Sequence, residues 1–276
     1  MADRKRAGFD PLRRFFRDKL VRAVDEVVGR YHYEQLDRLR VEVDQLREEL
    51  RLDREAVAKL VADLEHHFRR DLAAAAERAA AASSAEFAQA AMPTVPTFPD
   101  LQATLEYGLK LAPPDGLALE FGVWSGTTLK VIAEARGGAG VHGFDSFEGL
   151  PEGWRTGFPA GAFSTGETPD VPGAELVIGW FSDTLPKFLA EHDGEPVAFV
   201  HVDCDLYSST VTVLEHVGPR LLPGSVLVFD EYFNYPGWQQ HEHRAWYEYV
   251  QRTGLQFSYE GYTVDHEQVV VRVTGV

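Results

Sequence analysis

The stretch Leu119-Glu120-Phe121-Gly122-Val123-Trp124-Ser125-Gly126 runs from an apolar segment into a turn that holds two glycines. The residues from Leu117 to Phe121 read as a strand, and residues 126–135 read as a helix. Gly122 permits a tight turn in which the backbone can approach a ligand, and Gly126 lets the helix begin close to the strand. Any α/β turn can need glycine, so this unit predicts a fold before it predicts a ligand.

Further apolar runs follow at the spacing of alternating strands and helices. We expect strands at Val141–Asp145, Glu175–Ile178, Val197–Asp203, Val226–Asp230, 255–260 and 267–273, with helices near 126–135, 183–191, 208–217 and 239–252. This order predicts an α/β fold, a doubly wound sheet of seven strands of which the last is antiparallel. Ligands of such sheets bind at the carboxyl ends of the strands.

The composition of the chain changes near residue 91. Residues 1–91 carry 18 basic and 18 acidic side chains, whereas the remaining residues carry 9 and 25, so the whole net charge of −16 lies after residue 91. Pro93, Pro96 and Pro99 break any helix there. We predict a helical and coiled-coil extension over 1–91, a Pro-rich connector over 92–100 and a globular domain over 101–276.

Composition also excludes several classes of protein. An acidic domain is poorly suited to binding the phosphates of nucleic acid. The sequence contains no run of about 18 apolar residues, so we expect no membrane span. The basic N-terminus lacks the apolar core of a secretory signal. One cysteine, Cys204, rules out an internal disulfide and favours the cytoplasm.

Residues 36–64 carry a heptad repeat. Its a and d positions are apolar except for Asp53: Leu36, Leu39, Val43, Leu46, Leu50, Val57, Leu60 and Leu64. In this register Glu42 and Glu49 occupy g, and Arg47 and Arg54 occupy e five residues later, which favours a parallel coiled coil and a homodimer or higher homo-oligomer. The alternative is one long helix packed on its own domain.

Residues 1–22 combine eight basic side chains with Phe and Leu at helical spacing. A basic amphipathic helix of this kind can make peripheral contact with an anionic membrane. The alternative is a helix whose apolar face packs on a partner.

The glycine turn lacks the third glycine of a dinucleotide fingerprint, which weakens binding of a pyrophosphate. Asp145, at the end of the next strand and 25 residues after Glu120, is placed to accept hydrogen bonds from ribose hydroxyls, although Asp145 or Ser146 could instead cap a helix. These features together indicate S-adenosylmethionine rather than a nicotinamide cofactor. The cofactor-binding candidates in this region are Glu120, Gly122, Trp124, Gly126, Asp145 and Ser146.

Four carboxylates follow two strands that we expect to be neighbours. Asp203 and Asp205 follow one strand, and Asp230 and Glu231 follow the next. Crowded carboxylates repel unless they share protons or a cation, and oxygen ligands suit Mg²⁺. We therefore predict a metal site at Asp203, Asp230 and Glu231, with Asp203 and Asp205 as catalytic residues and Asp205 as the general base. The alternative is that Asp205 caps a helix and Asp230 is solvated.

A Gly/Pro-rich insertion, residues 147–172, contains Trp154, Phe158 and Phe163. Such a loop could close over a substrate and exclude water, or it could be an ordinary surface loop. His241 and His243 could line an acceptor pocket or lie solvated at its rim.

Five motifs then occur in order: residues 119–124 (LEFGVW), 145–151 (DSFEGLP), 179–186 (GWFSDTLP), 203–207 (DCDLY) and 230–232 (DEY). Over about residues 98–275 the chain resembles the macrocin O-methyltransferase family, metal-dependent class I S-adenosylmethionine methyltransferases that act on sugar hydroxyls. The resemblance implies that Trp180 and Asp183 lie near the adenine. The chain departs from the common pattern at Ser125, Cys204 and Glu231.

We therefore expect a Mg²⁺-dependent O-methyltransferase that transfers a methyl group from S-adenosylmethionine to a hydroxyl of a sugar or glycoside. Two other functions remain open. The same fold could methylate a catechol-like small diol, or the domain could be a non-catalytic ligand-binding module that the coiled coil oligomerises.

Overall fold

A computed structural model describes residues 10–276. The chain divides into two compact units, of which the first ends at Asp71 and the second runs from Leu72 to Val276. The first unit is one helix of 61 residues, α1 (Asp10–Arg70). The N-terminal part of the predicted basic helix, residues 1–9, lies outside the described residues.

The second unit is an α/β domain around an eight-stranded sheet. Its strands are β1 (Thr97–Phe98), β2 (Leu117–Phe121), β3 (Val141–Asp145), β4 (Glu175–Ile178), β5 (Val197–Val202), β6 (Leu221–Phe229), β7 (Gln256–Thr263) and β8 (Val269–Gly275). Its helices are α2 (Leu72–Ala91), α3 (Leu101–Leu111), α4 (Thr127–Arg136), α5 (Phe181–Glu191), α6 (Tyr207–Val217) and α7 (Glu242–Thr253). This is a mixed α/β, Rossmann-like fold, as the sequence predicted, with one strand more than the seven expected.

The strands follow the order β1-β7-β8-β6-β5-β2-β3-β4. All neighbouring pairs are parallel except those of β8, which is antiparallel to both β6 and β7. The order of the strands therefore reverses between β2 and β5. The loops that follow these two strands lead to opposite sides, which leaves a crevice between them.

Alternation along the buried strands fills both faces of the sheet. Leu119 and Phe121 of β2 pack in one apolar cluster, whereas Ala118 between them packs in the other. The same alternation separates Leu227 from Val228 in β6. Both faces of the parallel strands are covered, which is why these strands are almost continuously apolar.

The strand that the sequence did not predict is β1, which lies in the Pro-rich connector. The sequence predicted only a stiff link there. Thr97 and Phe98 pair in parallel with Tyr262 and Thr263 of β7. Two residues carry no periodicity, so the strand exists only because the sheet edge lies beside it. Helix α3, also unpredicted, begins after Asp100, whose side chain accepts the backbone N–H of Ala103 at 2.8 Å.

Helix α2 packs in the second unit, although the sequence assigned it to the extension that ends at residue 91. Its buried face is formed by small residues, Ala80, Ser84 and Ala88, so it has no stripe of large apolar side chains to reveal it. Ser84 Oγ accepts the backbone N–H of Asn234 at 2.8 Å. Phe87 packs against the ring of Tyr232, with 6.2 Å between their centroids. The boundary predicted at residue 91 therefore lies after α2, although α2 belongs to the second unit.

Helix α1 exposes its apolar side chains, and more than half of the surface of Leu36, Leu46 and Leu60 is accessible. Arg51 pairs with Glu48 and Glu55 of the same helix, in each case at 2.6 Å. Within residues 10–276, no helix combines the length and the apolar character that crossing a bilayer requires.

Candidate active site

The carboxyl ends of β2, β3, β5 and β6 surround a cavity of about 460 Å³. It lies where the order of the strands reverses, as expected for the ligand site of a doubly wound sheet. Its walls include Gly122, Trp124, Asp145, Ser146, Trp154, Arg155, Phe158, Phe163, Gly179, Trp180, Phe181, Asp203, Cys204, Asp205, Ser208 and Glu231.

Gly122 is required because two strand ends approach each other closely at this residue. Its φ is +99°, and a Cβ atom there would collide with the backbone carbonyl oxygen of Asp203. Asp203 N–H in turn donates to Phe121 O at 2.9 Å. The glycine turn and the first carboxylate of the acidic cluster are therefore built as one piece of backbone.

Asp145 holds the glycine turn in place. Its Oδ2 accepts the backbone N–H groups of Val123 and Trp124 at 2.9 and 2.8 Å, and its Oδ1 accepts that of Phe147 at 2.7 Å. Ser146 Oγ accepts the N–H of Glu148 at 3.1 Å. Both side chains line the cavity while they order the two loops beside it.

Four buried or half-buried carboxylates meet at the ends of β5 and β6. Asp205, Asp230 and Glu231 are each less than a tenth exposed, and Asp203 is half-buried. Burial raises the pKa of the Asp203 and Glu231 carboxyl groups well above their ordinary values, and the charge of Asp230 adds to both shifts. Burial also raises the pKa of Asp205, to about 7. The cluster thus contains too little positive charge to compensate all of its carboxylates.

His201 is the basic partner inside this cluster. It is fully buried, its Nδ1 lies 2.9 Å from Glu120 Oε1, and its Nε2 lies 3.6 Å from Asp230 Oδ1. Burial alone would lower the pKa of His201, but the two carboxylates outweigh burial and raise it well above its ordinary value. Burial likewise would raise the pKa of Asp230, yet His201 holds that pKa below its ordinary value. His201 therefore stabilises Asp230 as a carboxylate.

The backbone of Glu231 is hydrogen-bonded to a second buried acid, Glu242. Its backbone N–H donates to Glu242 Oε2 at 3.0 Å, and its carbonyl oxygen accepts the Tyr235 hydroxyl at 3.3 Å. Burial raises the pKa of Glu242 well above its ordinary value. These contacts fix the backbone of Glu231 while its side chain lines the cavity.

Asp205 lies in a backbone conformation that non-glycine residues rarely adopt, with φ +61°. Such a conformation costs about 1–3 kcal/mol and is concentrated at functional turns. It places the carboxylate at the cavity wall instead of at the start of α6, where Leu206 is the cap residue. Asp205 therefore does not cap the helix, which was the alternative.

The donor set of the cluster fits a hard divalent cation. Atoms of His201, Asp203 and Asp230 lie within 4.8 Å of one another, and Glu231 lines the cavity beside them. Glu231 Oε2 is buried without a hydrogen-bond partner among the described residues. Carboxylate oxygens are the ligands that suit Mg²⁺.

The insertion between β3 and β4 contributes one wall of the cavity. We call residues 147–172 the lid. Trp154, Phe158 and Phe163 all line the cavity, and the rings of Phe158 and Phe163 stack with centroids 5.3 Å apart. Arg155 also lines it and is the single basic side chain that does so within the described part of the chain.

The structure brings most predicted site residues to one cavity. Its wall contains Gly122, Trp124, Asp145, Ser146, Trp180, Asp203, Asp205 and Glu231. Glu120, Gly126, Asp183 and Asp230 are not among the wall residues. Glu120 and Asp230 contact His201 instead, and Gly126 packs toward Pro169 and Val171 of the lid.

Several participants were missed or misjudged in the sequence. The sequence-predicted site residues do not include His201, Glu242, Glu267 and Arg155, which carry no motif. Arg155 follows Trp154 in the aromatic-rich insertion, which was the one available signal. His241 and His243 are not cavity-wall residues, and burial lowers the pKa of His243 to about 4.

Comparisons with known proteins agree with this geometry. Residues 119–232 match the family model described as a methyltransferase domain, and this segment spans the glycine turn, the lid and the acidic cluster. It is about two fifths of the chain. Residues 119–232 of this α/β domain are therefore similar to a methyltransferase domain.

Two curated relatives are O-methyltransferases by name, and the name of the first includes a rhamnosyl group. The 8-demethyl-8-(2,3-dimethoxy-alpha-L-rhamnosyl)-tetracenomycin-C 4'-O-methyltransferase of Streptomyces olivaceus is 29% identical over 162 residues, which are 46% of this chain and 58% of the relative. The mycinamicin III 3''-O-methyltransferase of Micromonospora griseorubida is 41% identical over 54 residues, 20% of each chain. The chain therefore spans less than two thirds of either relative.

Solved structures that are similar to this chain include the calicheamicin methyltransferase CalS11, which is 24% identical, with a TM-score of 0.49 over 62% of this chain and 76% of that one. The O-methyltransferase NovP is 21% identical, with a TM-score of 0.46 over 63% of this chain and 79% of that one.

Replacing Gly122 by alanine should abolish cofactor binding, because the added Cβ collides with the Asp203 carbonyl oxygen and forces the glycine turn away from the cavity. Isothermal titration with S-adenosylhomocysteine measures the effect, and we expect at least a hundredfold weaker binding. Gly194→Ala is the control, since Gly194 has φ +78° but nothing within 4 Å of its Cβ. The control should lose about 1 kcal/mol of stability and bind normally. Normal binding by the Gly122 variant would contradict this account of the turn.

Proposed function

We propose that the chain is an S-adenosylmethionine-dependent O-methyltransferase that acts on a hydroxyl of a sugar or glycoside with the help of Mg²⁺. The observation that carries the proposal is the cavity at the reversal of strand order. There the glycine turn and the buried carboxylates form one wall, inside the segment that matches a methyltransferase domain. The names of the two curated relatives support a sugar-type acceptor.

The cofactor half of the cavity would be formed by the ends of β2 and β3 and by the start of α5. When bound, S-adenosylmethionine supplies a methyl group on a positively charged sulfur. Gly122 leaves room for it beside the backbone, Ser146 and Asp145 border the same space, and Trp180 offers a flat apolar surface. Glu120, Gly126 and Asp183 would act from outside the wall, by holding His201, α4 and α5 in position.

Asp203, Asp230 and Glu231 would hold the metal. Bound there, a divalent cation supplies charge that lowers the pKa of a hydroxyl group of the acceptor. His201 keeps Asp230 ionised, and Glu242 keeps the backbone of Glu231 in place, so both serve the ligands rather than the acceptor.

Asp205 would accept the proton of the reacting hydroxyl. Its carboxylate faces the cavity next to Asp203, and its strained backbone keeps it there. With that proton on Asp205, the acceptor oxygen would be able to take the methyl group that bound S-adenosylmethionine supplies, and the electron pair of the broken bond would stay on the sulfur. The enzyme then contributes mainly orientation and exclusion of water.

The acceptor half of the cavity is bordered by rings of the lid. Trp154, Phe158 and Phe163 present apolar faces that suit the C–H side of a sugar ring or an apolar aglycone. A flat catechol would fit the same rings, so catechol turnover separates the two acceptor classes experimentally.

The proposal is tested by turnover with S-adenosylmethionine, Mg²⁺ and two probes, an aryl α-L-rhamnoside and a catechol. We expect methylation of the rhamnoside, and Asp205→Asn should lower kcat at least a hundredfold because the proton has no acceptor. The control is Asp193→Asn, which changes an exposed carboxylate paired with Arg220. Catechol turnover alone would replace the sugar acceptor. Failure to bind S-adenosylhomocysteine would leave the non-catalytic module as the function.

Metal dependence is tested on Asp203→Asn. The wild-type protein should bind one Mg²⁺ or Mn²⁺ in a calorimetric titration and should lose turnover in EDTA. The variant should lose metal binding and turnover yet bind S-adenosylhomocysteine within about threefold of the wild-type affinity, since Asp145 and the glycine turn are unchanged. Full activity of this variant would refute the assignment of Asp203.

We further propose that residues 36–64 join two copies of the chain in a parallel coiled coil. The a and d side chains of this segment are exposed on α1. The ion pairs that Arg51 makes within the helix lie at the b and f positions, on the outer face. Glu42–Arg47 and Glu49–Arg54 pairs would then form across the seam.

The dimer is tested by sedimentation equilibrium of the full chain. We expect the mass of two chains for the wild type and of one chain for Leu46→Asp/Leu50→Asp, which places charges in the seam. The matched control is Val41→Asp/Leu52→Asp, because these residues are about as exposed but occupy f and c. A wild-type monomer at micromolar concentration, or equal behaviour of the two double variants, would argue against the seam.

Two further expectations belong to this proposal. The single cysteine, Cys204, is buried and unpaired, which suits the cytoplasm. The basic residues of 1–22, doubled at one end of a parallel dimer, would support peripheral contact with an anionic membrane.

A further inference from the structure

The lid is an internally bonded loop that reaches across the cavity. Leu150 N–H donates to Ala162 O at 2.9 Å, and Gly161 N–H donates back to Leu150 O at 2.8 Å. Trp154 N–H donates to Phe158 O at 3.0 Å. Bonds of this kind hold the loop together but do not hold it against the rest of the domain, so its position depends on its outward contacts.

Glu152 makes one outward contact, an exposed hydrogen bond from the Ser208 hydroxyl at 2.6 Å, and Arg155 makes another that is more shielded from water. Its Nη1 lies 3.1 Å from Glu267 Oε1, and the two side chains are 28% and 15% exposed. The guanidinium carbon lies 3.9 Å from the ring centroid of Trp154 and 4.8 Å from that of Tyr235. An ion pair shielded from water by aromatic rings is stronger than an exposed one and leaves the arginine little freedom.

Glu267, the other member of the pair, belongs to the turn that supports the acidic cluster. Its carbonyl oxygen accepts the N–H of Tyr232 at 3.0 Å, directly after Glu231. The next residue, Gln268, donates from Nε2 to Asp230 Oδ1 at 3.3 Å. The ion pair therefore connects the lid to the same backbone that carries Asp230 and Glu231.

We propose that Arg155 and Glu267 form a clamp that fixes the lid over the cavity and thereby positions the acceptor. This inference rests on the proposed methyltransferase function. Arg155 is a positioning residue, since it acts through the placement of Trp154 and Phe158, which border the acceptor half. The clamp connects the lid to the strand end that carries Asp230 and Glu231. An acceptor is therefore held correctly only when the lid is in place over that strand end.

The clamp is tested first by hydrogen–deuterium exchange of peptides that cover residues 147–172, with S-adenosylhomocysteine present. Glu267→Gln removes the charge of the pair but keeps the backbone bond to Tyr232. We expect about tenfold faster exchange in the lid, which corresponds to the loss of one charge-assisted hydrogen bond. The matched control is Glu215→Gln, which removes the same charge from an exposed pair with Arg252 at 3.6 Å and should leave the lid unchanged.

The second measurement is steady-state turnover of the aryl rhamnoside. In Glu267→Gln the KM for the acceptor should rise about tenfold, whereas kcat and the affinity for S-adenosylhomocysteine should change less than about threefold. Arg155→Lys keeps a charge but not the planar stacking, and it should give an intermediate KM. If Arg155→Lys impairs the enzyme while Glu267→Gln does not, Arg155 binds the acceptor directly and the clamp is wrong.

Lid exchange does not depend on turnover, so the two proposals can fail separately. If the wild type methylates no probe but Glu267→Gln still loosens the lid, the function is wrong and the lid attachment is right. If lid exchange in Glu267→Gln equals that of the wild type and the Glu215 control, the clamp is overturned whatever the activity.

Discussion

The central constraint in this protein is the burial of carboxylates at neighbouring strand ends. Asp205, Asp230 and Glu231 are almost wholly removed from water, and Glu242 lies behind them. Such a group of charges is unfavourable unless a cation or shared protons compensate it. His201, fixed by Glu120, compensates one of them. The remaining carboxylates are the reason for the metal in the proposed mechanism.

The backbone next to the acidic cluster restricts which residues can occupy the glycine turn. Gly122 and the Asp203 carbonyl are so close that only glycine fits, and the Asp145 carboxylate accepts two N–H groups of the same turn. A motif residue here can therefore serve binding and architecture at once. Asp145 borders the cavity and also orders its wall, so a loss of cofactor affinity in an Asp145 variant would have two physical causes.

The two units of the chain are stabilised in different ways. The sheet domain buries both faces of its strands and incorporates α2 through a face of alanine and serine. Helix α1 instead exposes the apolar stripe that its heptads create. Alanine is often buried, but it leaves no stripe of large apolar side chains in the sequence. Composition therefore predicted the boundary after α2, although α2 packs in the second unit.

The sequence alone determined the strands from Leu117 onward and the acidic residues at their carboxyl ends, because period and position along a strand are local properties. It also identified the turn at Gly122 and the aromatic-rich insertion over 147–172. Only the tertiary structure decided that Glu120 faces His201 instead of the cavity, that α2 joins the domain and that Arg155 meets Glu267, 112 residues away in the chain. These contacts join strands and loops that are distant in sequence, and no local pattern encodes which of many charged residues will meet once the sheet is assembled.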